Sequence, residues 1–506
     1  MKLGHQKAAK PASATLGTAT GLAVLALLLG VSTARANSFE VGPDYHAPTN
    51  AVPSAYKASE LGNWKEGAPM DNAPKGAWWK IFNDPVLEQL ETNADQANGD
   101  LKAAVARVDE ARATARVARA DLLPSLNFYP SFNRQRYSPN QEPAFGALTA
   151  NTWSTPIDLS YEIDFWGRVR RNFEGARADA QSSIASFYNI LLTLHSDVAQ
   201  NYFALRSLDA EIAIVNSTVG LRHEQVRLVQ SRFSGGIGNE LDTARAETEL
   251  ATTEADAASL AQRRAQLENA IAILTGSNPS TFHLPVAGAT NWNPTPPEIP
   301  AGLPSDLLER RPDVAAAERQ LASANARIGV AKASFFPIVN LTGSAGYLSA
   351  DVDSLFNWSS RTWSIGPSIS LPIFAGGRLR ANYHRSQAAF AEAAGQYQQQ
   401  VLVAFGDVEN GLSAIHYLAD QSAAQDRAVQ HSKRAEQLAT QRYTSGIVSY
   451  IEVIDSSRDT LDAQRSAAQL AGQRLIADVQ LIKALGGGWN EQALYAQSAT
   501  RTRHRN

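Results

Sequence analysis

The chain has 506 residues and a formal net charge of −3, with 46 Lys and Arg against 49 Asp and Glu, so no cationic excess argues for a nucleic-acid partner. It contains no cysteine, which excludes disulfides, thiolate metal ligands and cysteine nucleophiles. Its nine histidines fall in no HExxH-like spacing, and neither a nucleophile elbow nor a phosphate loop occurs, so no enzyme, metal or cofactor is expected.

At the N-terminus, Lys2, Lys7 and Lys10 precede the apolar run Leu22 to Val31, and Ala34-Arg35-Ala36 fits an A-x-A cleavage site. Residues 1–36 therefore read as a secretory signal peptide; the apolar run falls well short of the ~20 residues that an anchor needs. Residues 37–83, rich in Pro, Gly, Asn and Ala, predict an extended wrapping segment. A helix is expected from about Pro85 to Leu122, capped by Asp84 with Pro85 at its first position. Its Arg107, Arg112, Arg116 and Arg119 interleave with Asp109, Glu110 and Asp121, the pattern of a solvated face.

Two alternating segments follow, at about 127–137 and 152–164. In the second, Trp153, Thr155, Ile157, Leu159, Tyr161 and Ile163 share one face, against Ser154, Asp158, Ser160, Glu162 and Asp164. Strands of about ten residues with one apolar and one polar face match tilted membrane strands, and Trp153 stands at the loop end as a girdle residue does. No proline occurs between Pro156 and Pro279, and a helix of roughly 65 residues, ~98 Å long, is predicted from about Arg168 to Phe233. Phe187, Leu191, Leu194, Val198, Tyr202 and Leu205 step by three and four, a coiled-coil seam. Residues 277–303 are proline-rich and read as a linker. Then strands recur at about 339–349 and 362–374, and Gly376-Gly377-Arg378 opens a second long helix. That helix breaks at Thr444-Ser445-Gly446 and returns to Leu485-Gly486, leaving 487–506 as a tail.

These elements are copies. Subtracting 210 takes Trp363 to Trp153, Gly377-Arg378 to Gly167-Arg168, Gly446-Ile447 to Gly236-Ile237 and Gly486 to Gly276. The expectation is a tandem-duplicated, mainly α protomer with a membrane β part, its two repeats spanning 84–276 and 304–486. Two hairpins supply four membrane strands, and an open sheet in lipid leaves unpaired backbone groups at both edges, each costing several kcal/mol. Single-chain barrels start at about eight strands, so closure requires oligomerisation: a dimer would give eight strands and a trimer twelve.

The chain resembles the TolC-like outer-membrane efflux protein family, in its OprM/NodT branch. The residues that carry the likeness are Val41-Gly42-Pro43-Asp44-Tyr45, Trp78-Trp79 with Asp84-Pro85, and Leu303-Pro304-Ser305-Asp306-Leu307-Leu308-Glu309-Arg310-Arg311-Pro312-Asp313 with Glu318. The resemblance implies a homotrimer with a twelve-strand β-barrel continued by a twelve-helix coiled-coil tunnel in the periplasm. It also implies a passive exit duct for small molecules such as drugs, joined through a periplasmic adaptor to an inner-membrane RND-type pump. Many members of this branch carry a lipidated cysteine before the Val-Gly-Pro-Asp-Tyr word; Asn37-Ser38-Phe39-Glu40 stand there instead, so no lipid anchor is expected. Carried over by position, Glu452 and Asp455 match the family's acidic pore constriction, and Asp242 and Tyr443 match a pair tying neighbouring helix turns. Val448 stands where some relatives place a basic latch residue. Read without the family, Glu452 and Asp455 are also an ordinary acidic pair at a helix start. A type I protein-secretion duct and a trimeric coiled-coil adhesin are the alternative functions, though an adhesin places its strands at one end rather than twice between helices.

Overall fold

In a computed structural model, residues 39–48, 77–140, 149–286, 292, 294–297, 299 and 311–487 are described. The expected signal peptide, most of the wrapping segment, part of the linker, the Leu303 to Arg310 stretch and the tail after Gly487 lie outside them. The chain divides into two compact units, one built from strands and one from helices.

The strand unit contains β1 (Ser125–Phe128), β2 (Ser131–Arg136), β3 (Thr149–Ser154), β4 (Ile157–Ile163), β5 (Ile338–Ser349) and β6 (Arg361–Ser370). All pairings are antiparallel: β1 with β4, β2 with β3, β5 with both β3 and β4, and β6 with β5. The sequence pattern runs unbroken through Pro130 and Pro156 and on to Phe374. The structure interrupts it at both prolines and ends β6 at Ser370, because a proline has no N–H to give the ladder. The interruptions do not shift the register: Phe128 faces Ile157 and Phe132 faces Trp153, while Ile157 faces Ala345 and Trp153 faces Ser349. The six segments thus make four effective strands.

With the register fixed, alternation sorts the side chains onto two faces. One carries Leu126 and Phe128, then Ile157, Leu159, Tyr161 and Ile163, then Val339 and Leu341, then Trp363, Ile365 and Ile369. The other carries Asp158, Ser160, Glu162, Asn340, Thr342, Ser344, Ser364, Ser368 and Ser370. The apolar face is uncovered: Trp363 is 73% exposed and Ile369 71%. Where the strands run toward the helices, Trp166 donates from Nε1 to the Pro337 carbonyl (2.9 Å) and stacks on Phe336, with ring centroids 4.7 Å apart.

The helical unit begins with a 3₁₀ turn at Trp78–Phe82 and continues with α1 (Pro85–Ala97) and α2 (Gly99–Ala120). Asp84 caps α1, its Oδ1 accepting from the Val86 and Leu87 amides at 2.9 and 3.1 Å. The single helix expected from Pro85 to Leu122 is two. Asn98 ends the first by capping the second, accepting from the Leu101 amide (2.9 Å) and donating to the Leu274 carbonyl (2.9 Å). Then come α3 (Arg168–Ser234), α4 (Glu240–Leu274), α5 (Pro312–Ala333), α6 (Arg378–Thr444) and α7 (Tyr450–Ala484). α3 and α6 have 67 residues each and α4 and α7 have 35 each, every bound 210 apart.

The seam positions are the core. Val198, Tyr202 and Leu205 of α3 pack with Val401, Ala404, Val408 and Leu412 of α6 and with Leu475, Val479 and Leu481 of α7, and Trp78, Trp79, Leu87 and Leu90 close the cluster. Gly472 allows α7 to approach α3: a Cβ there would lie 2.4 Å from that of Ser207. Among the described residues no helix is long and apolar enough to cross a membrane.

Candidate functional site

The two turns that carry the candidate residues are built alike. At the first, the Ile237 amide reaches back to the Arg232 carbonyl and the Gly236 amide to that of Phe233, both at 3.0 Å. At the second, Ile447 bonds Arg442 and Gly446 bonds Tyr443, both at 2.9 Å. This paired closure is a Schellman motif, and it needs a left-handed residue that Gly236 (φ 76°) and Gly446 (φ 75°) supply without strain. The returning helices start differently. Asn239 caps α4 by accepting from the Asp242 amide at 2.7 Å, whereas Ser449 before α7 makes no side-chain cap.

Behind the turns lies a small core of Val226, Val229, Ala246, Tyr443, Tyr450, Val453 and Ile454. Tyr443 and Tyr450 meet with ring centroids 5.3 Å apart. The Arg232 guanidinium sits 4.6 Å over the Tyr443 ring and donates from Nη1 to the Tyr443 carbonyl (3.3 Å), joining the two turns within one chain. Burial raises the Tyr443 pKa above the usual phenol value; Arg232 opposes the shift and the nearby Asp242 charge adds to it.

Of the expected site residues, Tyr443 is buried and Asp242 half-buried, with Arg245 Nη1 3.9 Å from the Asp242 carboxylate. Among the described residues no hydrogen bond joins Asp242 to Tyr443; Arg232 occupies the tyrosine instead. Glu452 and Asp455 lie exposed on the first turns of α7, and Glu452 is 3.7 Å from Arg442 Nη1. Both partners of that pair are about half exposed, so it contributes little to stability.

Sequence reasoning missed Arg232 and a deeper ion cluster. Arg222 of α3, 2% exposed, places Nη1 2.9 Å from Glu249 of α4, whose other oxygen takes Arg458 of α7. The signal was present: residues 219, 222, 226 and 229 continue the α3 seam, and 246, 249, 253, 257 and 260 form one on α4, each with a charged residue in an apolar slot.

An uncovered amphipathic sheet feeding two duplicated helix hairpins defines the class of membrane channel proteins with long helical extensions. The sequence model of the outer membrane efflux protein family matches residues 90–277 and 303–487. The solvent efflux pump outer membrane protein SrpC of Pseudomonas putida is 34% identical over 450 residues, covering 88% of this chain and 95% of that protein. The outer-membrane channel OprN superposes with a TM-score of 0.83 at 30% identity, over 89% of this chain and 99% of OprN. The CmeC outer membrane channel of Campylobacter jejuni gives 0.84 at 25%, over 91% and 98%. The chain belongs to the outer membrane efflux protein family and is the outer-membrane channel component of an efflux system.

Proposed function

We propose that the chain is the passive exit duct of a tripartite efflux system, a homotrimer whose helices extend into the periplasm. The observation that carries this reading is the sheet. It exposes an apolar face, and its outer strands, β1–β2 on one side and β6 on the other, each have a neighbour on one side only among the described residues. In lipid, each unpaired backbone group costs several kcal/mol, so identical sheets must join edge to edge. Three copies of four strands give twelve, above the roughly eight at which barrels close.

A periplasmic adaptor and an inner-membrane RND-type pump supply cargo and energy to this passive duct. The cargo is small molecules such as drugs or, as the name of SrpC says of that relative, solvents. At the narrow end, Glu452 and Asp455 form the constriction, and Asp242 and Tyr443 help to tie the turns together, with Arg232. Residues 1–36 direct export and are removed; the mature chain, lacking cysteine, is not acylated. Native mass spectrometry of the full chain in detergent should give three protomers. A stable monomer would refute the barrel and, with it, the duct.

A further inference from the structure

Toward the hairpin loops the lipid-facing side of the sheet carries arginines beside its aromatic residues. On β2, Phe132 packs against Trp153 across the ladder, with ring centroids 4.4 Å apart and the planes tilted by 37°. Arg134 and Arg136 follow at the same alternation, opposite Asn151 and Thr149, and so stand on the same outward face, farther toward the hairpin loop. The second hairpin repeats the arrangement with different residues. Trp363 of β6 faces outward opposite Ala345, and the next outward residue toward the loop is Arg361, opposite Tyr347. Its guanidinium lies 3.9 Å from the ring centroid of Trp358, which is 75% exposed.

All three arginines are exposed, and among the described residues none is paired with a carboxylate. Asp351 and Asp353, in the loop before β6, are the described acids of that loop and form no ion pair with Arg361. An unpaired guanidinium on an outward barrel face is expensive at the bilayer midplane and nearly free at the interface, so these three mark interfacial height. The strands leave for the helices at their other ends, so the arginines mark the leaflet on the loop side.

We infer that Arg134, Arg136 and Arg361 form an outward-facing rim that binds the phosphate groups of lipids in the loop-side leaflet, beside a Trp or Phe that packs against their acyl chains. The chemistry fits: guanidinium is a planar, always charged fork that takes phosphate oxygens in pairs, and Trp and Tyr favour the headgroup boundary. A basic residue near an anionic lipid surface contributes about a fivefold gain in affinity. The inference rests on the membrane reading of the sheet, and its test separates the two.

The full chain in zwitterionic detergent is titrated with diphosphoryl lipid A and, separately, with phosphatidylcholine, and retained lipid is counted by native mass spectrometry. Wild-type protein should retain the phosphorylated lipid in preference, and Arg134→Gln/Arg136→Gln/Arg361→Gln should lose that preference by about tenfold or more while holding phosphatidylcholine unchanged. The triple Lys variant should keep most of the preference, since charge persists, and raising salt should strip it from the wild type. Equal retention of both lipids by wild type, or a preference untouched in the triple Gln variant, overturns the inference. If the Gln variant fails to fold, the Lys variant and the salt series decide alone. Failure of wild type to float with phosphatidylcholine vesicles after reconstitution would instead sink the membrane reading.

Discussion

Helices α3 and α6 have equal length, close with the same glycine turn and share one core, yet they treat charge differently. α3 buries charge: Arg222, His195, Asp209 and Glu211 are all below 4% exposed. Among its described residues α6 buries no charged side chain, while both helices expose apolar ones, Leu402 at 65% and Leu221 at 52%. Position by position, 210 residues apart, buried Arg222 answers to Ser432, His195 to Phe405 and Glu249 to exposed Asp459, while buried Tyr443 answers to exposed Phe233. The duplication kept the backbone and exchanged the surroundings. The first copy thus holds more of the buried charge within one chain.

The sharpest break in that symmetry is Glu249 against Asp459. Glu249→Ala leaves Arg222 as an unpaired buried cation and should cost about 3–5 kcal/mol. Asp459→Ala, on a solvated helix surface, should change stability by less than about 0.5 kcal/mol. Chemical unfolding in detergent measures both. Equal losses would mean that the two copies are framed alike.

Next is His195, whose counterpart Phe405 cannot titrate. Nδ1 lies 2.7 Å from Glu91 and Nε2 3.2 Å from Asp95, both on α1, and the Trp79 ring lies against the imidazole at 4.3 Å. Burial alone would lower the His195 pKa, but the bonds to Asp95 and Glu91 outweigh it and push it up to about 9. Because the folded value is raised, the stabilisation is fully present below pH 6.5 and is lost as pH rises through about 9. Burial also pushes Glu91 up, to about 7, so its contribution fades in the same direction. Unfolding of the wild type should weaken by on the order of 2 kcal/mol between neutral pH and pH 9.5, and Glu91→Gln should flatten the curve. A flat wild-type curve removes the clamp.

A smaller effect is expected at Gly472, whose counterpart is exposed Gln262. Gly472→Ala forces α7 away from Ser207 of α3 and should cost about 1–3 kcal/mol, whereas Gln262→Ala should be silent. If Gly472→Ala is silent too, the close approach of α7 and α3 does not constrain the helix pair.

Much of this architecture was legible in the sequence because it rests on local periodicity. Alternation marked the strands around Trp153 and Trp363, and spacing by three and four marked the seam from Leu191 to Leu205. The break at Asn98 did carry a signal, the turn-favouring Asn98-Gly99 dipeptide, which the continuous Ala-rich run on either side masked. The interruptions at Pro130 and Pro156 were readable in principle, but alternation across them is perfect and hides them. Of the candidate site, only the acids at the start of α7 stand out from the residues themselves, and their role at a constriction is a proposal. Arg232 and Glu249 act through residues more than 200 positions away, and no spacing rule pairs Arg232 with Tyr443 or Glu249 with Arg458.

In function rather than stability, the two turns should differ most. Glu452 and Asp455 of the second turn carry two negative charges, while their counterparts Asp242 and Arg245 cancel. In a trimer the second turns bring three copies of two carboxylates, six in all, around one opening. Such a ring concentrates cations and is blocked by multivalent ones. Planar-bilayer recordings should therefore show a cation-selective resting channel. Glu452→Ala/Asp455→Ala should weaken multivalent block by about tenfold or more, with little loss of folding because both side chains are exposed. Asp242→Ala should raise resting conductance without changing selectivity, since it removes the tie proposed for that carboxylate and leaves the ring intact. Tyr443→Phe should do so least, because Arg232 still has the ring face and the backbone carbonyl to hold. Should the double Ala variant keep wild-type selectivity and block, the acidic pair is a helix-start feature and the constriction lies elsewhere along the helices.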